Sequence, residues 1–437
     1  MAIANDLWRR YGRLYEADVP EATWRWARHS VLDWYGVTLA GSTQPLSRLL
    51  REEYAGSSGP AAVIGTRDRA DARTAALLNG AASHALDFDD SNKAGGGHHP
   101  SAPVLPAALA VAQAEGSTGA EFLAAVVAGF EFSYRVGAAM GGGLFKKGWH
   151  PTSALGVFGA LAAAGTLLKL DEREFGNAFG IAASLSGGLQ ANFGTMTKPL
   201  HAGLAAQSGV TAARLGRRGI TARAEALETM AGLAELMGDG EVHPDELVPL
   251  EDAWVTTRTI FKYHASCLGT HAPIEATRAA AAGVGPGDVG AVVVRVNPMS
   301  MRICRFDYPG TGLEAKFSIR AATALTLLRD NTGDPVTFSD ERVHAADFLA
   351  MMARIEVRTD PGVASQNSYV ALEAGDGRHF EGHADSSIPA ADVDGQEAKL
   401  RRKFLALAEP VIGDRAAGMA DRLLDVRSVA NMAALPR

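Results

Sequence analysis

From residue 1 to about 262, apolar positions recur at helical spacing in one segment after another. Glu21–Leu39, Ala70–Ala85, Ser101–Glu115, Gly119–Met140, Ser153–Leu168, Glu172–Ser186 and Leu200–Leu215 each predict a helix bounded by Gly, Pro or polar clusters. Several are apolar nearly all round and rich in Ala, the pattern of central helices packed closely together. After Gly285 the period changes. Ala291–Asn297 predicts a β-branched strand and Ala353–Thr359 an alternating one. Tyr369–Glu373 and Arg378–His383 flank Ala374-Gly375-Asp376-Gly377, a hairpin signal. Helices are expected between the strands at Glu314–Asp330 and Asp340–Met352, and the tail from Asp394 to Ala434 returns to helix. The expected protein is mainly α. A large all-helical domain takes residues 1–263 with 401–437, and a smaller α+β domain takes 264–400.

Composition narrows the partners. The 437 residues are 47% hydrophobic and 21% charged, with net charge −7 and no basic run. Nucleic acid is therefore not an expected partner, since its binding rests on phosphate neutralisation. Met1–Arg13 has no apolar signal core, and the longest uncharged run, Ser153–Leu168, reads as shorter than a membrane span. A cytoplasmic protein with no membrane partner is expected. The two cysteines, Cys267 and Cys304, exclude a disulfide framework and a thiolate-held iron–sulfur cluster. No HExxH or paired CxxC is present for zinc, so no metal and no cofactor are expected.

Three polar loops enter small-residue helices with the same chemistry. His98-His99-Pro100-Ser101 and Trp149-His150-Pro151-Thr152 are two of them, and Thr197-Lys198-Pro199-Leu200-His201 is the third. Pro is tolerated in a first helical turn, and free N–H groups there attract anions. Three such entrances predict a pocket for a carboxylate-rich small molecule. Lys198 lies among apolar neighbours and calls for an anionic partner. In His84–Ser91, Asp87 is the favoured functional carboxylate, because Gly95-Gly96-Gly97 can fold His99 back towards it. Asp89 and Asp90 are read as solvated helix-end groups. The stretch Phe261–His271 adds Lys262, Tyr263, His264, Cys267 and His271, with Lys262 as a carboxylate clamp and Cys267 as a buried free thiol.

Together these segments resemble the MmgE/PrpD family, whose members include 2-methylcitrate dehydratase, cis-aconitate decarboxylase and iminodisuccinate epimerase. The matching motifs are HALDFDDS at 84–91, HPS at 99–101, WHPTS at 149–153, NFGTMTKPLHAG at 192–203, FKYHASCLGTH at 261–271 and EAKFSIR at 314–320. The resemblance implies a helical domain, an α+β lid, a homodimer and a metal-free site between the domains. Its pocket positions fall on Asp87, Ser91, His99, His150, Lys198 and Lys262. One departure stands out: the decarboxylase has a pocket tyrosine where this chain reads Arg320-Ala321. Arg320, Tyr263 and Tyr308 are the nearest substitutes.

The expected activity is a cofactor-independent lyase moving a proton at carbon beside a carboxylate of a di- or tricarboxylate. A 2-methylcitrate dehydratase-like hydro-lyase comes first, with epimerase or decarboxylase as the alternative and a non-catalytic polycarboxylate-binding protein as a second. Lys198 and Lys262 clamp carboxylates, His150 and His99 exchange protons, and Asp87 orients one of them. Ser91, Tyr263, His201 and Arg320 are assigned to substrate binding.

Overall fold

The fold, obtained as a computed structural model, is described for residues 2–14, 19–243 and 254–435. The protein is mainly α-helical. Its chain divides into two units: Met1–Ala85, Asp89–Phe261 and Pro389–Arg437 form one, and Leu86–Phe88 with Lys262–Ile388 form the other.

The first unit is built from α1 (Glu21–Gly41), α2 (Ala72–His84), α3 (Ser101–Glu115), α4 (Gly119–Ala139), α5 (Gly156–Leu168), α6 (Glu172–Leu185) and α7 (Thr197–Arg217). Local chemistry sets their starts. Asp71 caps α2 by accepting from Arg73 N, and Thr118 and Asp171 open α4 and α6 with reciprocal capping boxes. Helix α7 begins at Thr197, earlier than the apolar pattern indicated, which places Lys198 inside its first turn.

Helix α5 packs against α3, α4 and α7, and α2 packs along α7. The α2–α7 contact depends on two glycines that face each other. A Cβ on Gly80 would lie 2.8 Å from Gly203 Cα, and one on Gly203 would lie 2.4 Å from Leu77 O. Backbones this close leave no room for side chains, and the approach carries the end of α2 to the start of α7. Gly119–Ala139 and Pro151–Leu168 are long and apolar enough to cross a membrane, contrary to the short run counted from sequence. In each, 94% of the most apolar 18-residue window is buried in the protein, as in core helices. A two-stranded pairing of Ala61–Ala62 with Arg69–Ala70 interrupts what the sequence read as helix and loop.

The second unit contains α8 (His271–Ala280), β1 (Val289–Val296), α9 (Ile319–Leu327), α10 (Ala346–Met352), β2 (Ile355–Thr359), β3 (Asn367–Ala374) and β4 (His379–Asp385). Its sheet has the order β2-β1-β3-β4, with β1 parallel to β2 and antiparallel to β3. Val292, Val294 and Val296 bury one face of β1, and Val370 and Leu372 continue that face on β3. Helix α8 packs against β3, β4 and α9. The single helix expected over Glu314–Asp330 is broken, because Ser318 leaves helical geometry to pair with Arg305 and to cap α9 through Ala321 N. Asp340–Met352 is likewise two helices, Asp340–Val343 and α10.

The chain rejoins the first unit at Pro389, ahead of the expected 401. The reason is α11 (Val393–Ile412), which packs along α1 and is followed by α12 (Arg415–Leu424). Lys403 of α11 forms a buried ion pair with Asp33 of α1 at 2.6 Å, which ties the returning helix to the first unit.

Candidate active site

In the first unit the end of α2 and the start of α7 deliver a hydrogen-bonded chain of three side chains. Asp89 Oδ1 and Oδ2 lie 2.8 and 3.0 Å from His84 Nδ1, and His84 Nε2 lies 3.0 Å from Lys198 Nζ. A carboxylate only accepts, so the imidazole proton sits on Nδ1 and donates to Asp89. That leaves the Nε2 lone pair to accept from the lysine. All three side chains are buried. Asp89 also stands 3.5 Å from His99 Nδ1, whose closer partner is Asp90 O at 2.6 Å. With Nδ1–H donated to that carbonyl, His99 Nε2 carries a lone pair suited to taking a proton.

Further imidazoles surround the chain. His150 occupies the cap before Pro151, anchored by its N–H on Gly188 O, and its ring lies 5.9 Å from that of His84. His150 Nδ1 meets His201 Nδ1 at 3.1 Å. One nitrogen donates and the other accepts, so the two tautomers are interlocked. Burial, then Lys198 and the neighbouring rings, holds His150 well below the ordinary imidazole range. Burial first, with His84 and Lys198, lowers His201 to about 4. Both rings are neutral near pH 7. Phe193 closes this side, its ring edge-on to His150 and 5.7 Å from Lys198 Nζ.

Asp90 and Ser101 brace the His99 loop. Ser101 N and Oγ donate to the Asp90 carboxyl group at 3.2 and 2.5 Å. Burial pushes Asp90 up to about 8 against the Ser101 bonds, with the Asp33 and Asp89 carboxylates adding to the rise. The native protein therefore keeps a proton that an unfolded carboxyl, near ~3.9, has lost. Stability from this group is full below about pH 4 and drains away as pH rises towards about 8. In Asp90→Asn the fall in melting temperature between about pH 5 and about pH 8 should be shallower than in the wild type. Parallel melting curves for the two proteins exclude the protonated Asp90.

In the second unit Lys262 Nζ donates to Asp87 O at 2.8 Å and to Asp87 Oδ1 at 3.1 Å, with Lys262 fully buried. Asp87 has φ 50°, a left-handed conformation that costs a non-glycine residue energy, and the double hold by Lys262 compensates. Lys316 Nζ fixes the same segment through Leu86 O and also bonds Ala265 O. His264 is tied to Thr332 and Glu275. Arg320 is engaged by both oxygens of Asp307 and lies over the Tyr308 ring, and Ala321 is completely buried. Tyr263 is half-buried. Ser91 belongs to the first unit, where its backbone pairs with Ile260.

Residues 13–245 match the MmgE/PrpD N-terminal domain, and residues 264–425 match the MmgE/PrpD C-terminal domain. The chain belongs to the MmgE/PrpD family. It is similar to a cis-aconitate decarboxylase-like protein, oryM, of Aspergillus oryzae, with 33% identity over 282 residues, 60% of this chain and 58% of that protein. Human cis-aconitate decarboxylase is 26% identical over 408 residues, 88% of this chain and 83% of the human one. An Aspergillus terreus cis-aconitate decarboxylase is 30% identical over 275 residues, covering 59% and 56%. The match thus spans somewhat over half the length of the two fungal relatives.

Of the residues expected to act, the MmgE/PrpD fold gathers His99, His150, Lys198 and His201 in one unit, and pairs Asp87 with Lys262 in the other. Two expectations change. Asp89 and Asp90 are completely buried and not solvated, because the strand-like turn after His84 runs inward and gives each a hydrogen-bonding partner. In the first unit Asp89 stands 3.5 Å from His99, and in the second Asp87 is held by Lys262. Cys267 is half-buried, and the fully buried thiol is Cys304.

His84 was not singled out from sequence at all. The signal was present in its five-residue spacing to Asp89, which lets a helix-end imidazole meet a carboxylate on the following turn. His84, Asp89 and His99 also bring metal-ligand atoms within 4.8 Å of one another, a grouping that no spaced sequence motif announces. Lys198 Nζ on His84 and the Nδ1–H donors on Asp89 and Asp90 O describe a proton network, and a cation there would meet the lysine's charge.

Proposed function

We propose that this MmgE/PrpD lyase decarboxylates a cis-aconitate-like unsaturated tricarboxylate without a cofactor, using the first-unit cluster. The observation that carries the reading is the make-up of that cluster: the buried Asp89–His84–Lys198 chain sets one amine beside His99, His150 and His201, imidazoles able to take up protons. Such a site can gain positive charge by protonation when a polyanion enters, which suits it to a polycarboxylate. The names of the relatives favour decarboxylation over the dehydration that the sequence reading placed first.

In the proposed step, Lys198 and imidazole N–H groups hold the substrate carboxylates. The carbon–carboxylate bond breaks and CO₂ leaves. The electron pair moves into the adjacent double bond and onto the remaining carboxylate-bearing carbons, where the cations stabilise it. A proton from an imidazolium then forms the new C–H bond. His150 and His99 are the proposed proton carriers, and His201 sets the His150 tautomer. Lys262 is proposed as a positioning residue that holds Asp87, since its amine already has two oxygen partners there.

A neutral His150 must gain its proton on binding. A bound polycarboxylate opposes the charges that now depress it, so complex formation near pH 7 should take up protons. Calorimetry with the saturated tricarboxylate tricarballylate, in buffers of different ionisation enthalpy, reads that uptake directly. Binding with no buffer dependence counts against an imidazolium donor. His150→Gln should lower turnover by ~10²–10⁴, the usual contribution of a general acid or base, and a loss within about threefold removes His150 from the scheme.

Ala321 supports a second reading. It offers no proton, and Arg320 is held by Asp307, so the tyrosine-like donor expected of a cis-aconitate decarboxylase has no replacement at that position. This keeps 2-methylcitrate dehydration and iminodisuccinate epimerisation in the test. NMR of cis-aconitate, 2-methylcitrate, citrate and iminodisuccinate in D₂O separates them. Consumption of cis-aconitate with CO₂ release and one deuterium in the product is expected. Water loss from 2-methylcitrate alone would replace decarboxylation by dehydration. Prior treatment with a chelator should leave the rate unchanged, and a loss restored by a divalent ion would assign the His84–Asp89–His99 group to a metal.

A further inference from the structure

The two cysteines of the chain take no part in the proposed reaction, yet the fold brings them together. Cys267 opens the turn Leu268–Thr270, and Cys304 closes the short helix Pro298–Ile303. Both belong to the second unit and both are free thiols, Cys267 half-buried and Cys304 buried. Gly269 makes the meeting possible. A Cβ at that position would stand 2.9 Å from Cys304 Sγ and 3.9 Å from Cys267 Sγ, so both sulfurs border the space a side chain would fill.

We propose that Cys267 and Cys304 form a peroxide-sensitive dithiol that closes to an intramolecular disulfide. The half-buried Cys267 meets the oxidant first. Its thiolate attacks one oxygen of hydrogen peroxide, the O–O bond breaks, and hydroxide leaves, giving a sulfenic acid on Cys267. Cys304 then attacks the Cys267 sulfur. The S–O bond breaks, the Cys304 proton leaves with that hydroxide as water, and the S–S bond forms. Two thiols and one peroxide yield one disulfide and two waters.

The division of labour follows from surroundings. The hydrogen bond to Cys267 and burial push the Cys304 thiol well up, so it stays protonated and shielded until a sulfenic acid forms beside it. Cys267 has a stiff backbone setting, with its N–H on Lys316 O at 3.0 Å and its carbonyl accepting from Thr270 N at 2.9 Å. That setting keeps its sulfur beside its partner.

The test uses the full-length protein. After exposure to hydrogen peroxide, alkylation and proteolysis, mass spectrometry should find the Cys267 and Cys304 peptides joined within one chain, lighter by two hydrogens and separated by dithiothreitol. Cys304→Ser should stop at a sulfenic acid on Cys267 that dimedone traps, and Cys267→Ser should leave Cys304 reduced. Wild-type protein that keeps both thiols, over-oxidises Cys267 without a link, or links only between two chains overturns the proposal. The wild-type mapping decides the matter even if a variant folds poorly.

Discussion

Replacing Lys198 by methionine is expected to lower turnover about 10³-fold, since losing one donor to a developing oxyanion typically costs ~10²–10³ and this residue also anchors a neighbour. The amine has two tasks in the proposed scheme. It stabilises negative charge on the substrate, and it caps the lone pair of His84 Nε2 at 3.0 Å. Methionine keeps the length and apolar body beside Phe193 and Pro199, so helix α7 should persist. Steady-state kinetics with the substrate identified by NMR gives the measurement, with circular dichroism as a check on folding. A variant within tenfold of the wild type would move the anion-binding role elsewhere. Lys198→Arg should not restore the rate, because a planar guanidinium does not present the same point charge to an imidazole nitrogen.

Asp89→Asn is expected to lose ~10²–10⁴ in turnover, the range by which a positioned acid or base ordinarily contributes. The carboxylate accepts from His84 Nδ1 and thereby fixes the proton on that nitrogen. An asparagine amide can turn its NH₂ towards Nδ1, which moves the ring proton to Nε2. Two donors, the ring N–H and the Lys198 amine, then face each other across the gap. The lysine must swing away, and substrate binding and proton transfer suffer together. The two residues should therefore behave as a unit. Asp89→Asn combined with His84→Asn should cost little more than either alone, since coupled residues are far from additive. Full additivity of the two losses would show that Asp89 acts independently of His84.

Both expectations rest on contacts that could not be seen in the order of residues alone. The Lys198 motif and the imidazoles at His99, His150 and His201 were legible because Pro-bounded helix starts carry a recognisable grammar. Element type was legible for the same reason, since a 3.6-residue or two-residue period shows which face is apolar. The helix over Glu314–Asp330 misled because Phe317 and Ile319 keep the apolar rhythm while Ser318 turns the backbone out to meet Arg305. Asp89 and Asp90 misled because a carboxylate after a helix usually faces water, and only inward partners reverse that preference.

Sequence by itself determined the helices and strands, the change of period near Gly285, the family motifs and most of the basic side chains. Those properties are written in local spacing and in residue chemistry. Only the tertiary structure decided that Asp89, His84 and Lys198 form one chain, that Lys262 is occupied by Asp87, and that Cys267 and Cys304 border one space beside Gly269. Each of these depends on where two distant backbones approach, as Gly80 and Gly203 do where α2 lies on α7. A glycine shows in the sequence that such an approach is permitted, but its partner is chosen by packing across the whole unit.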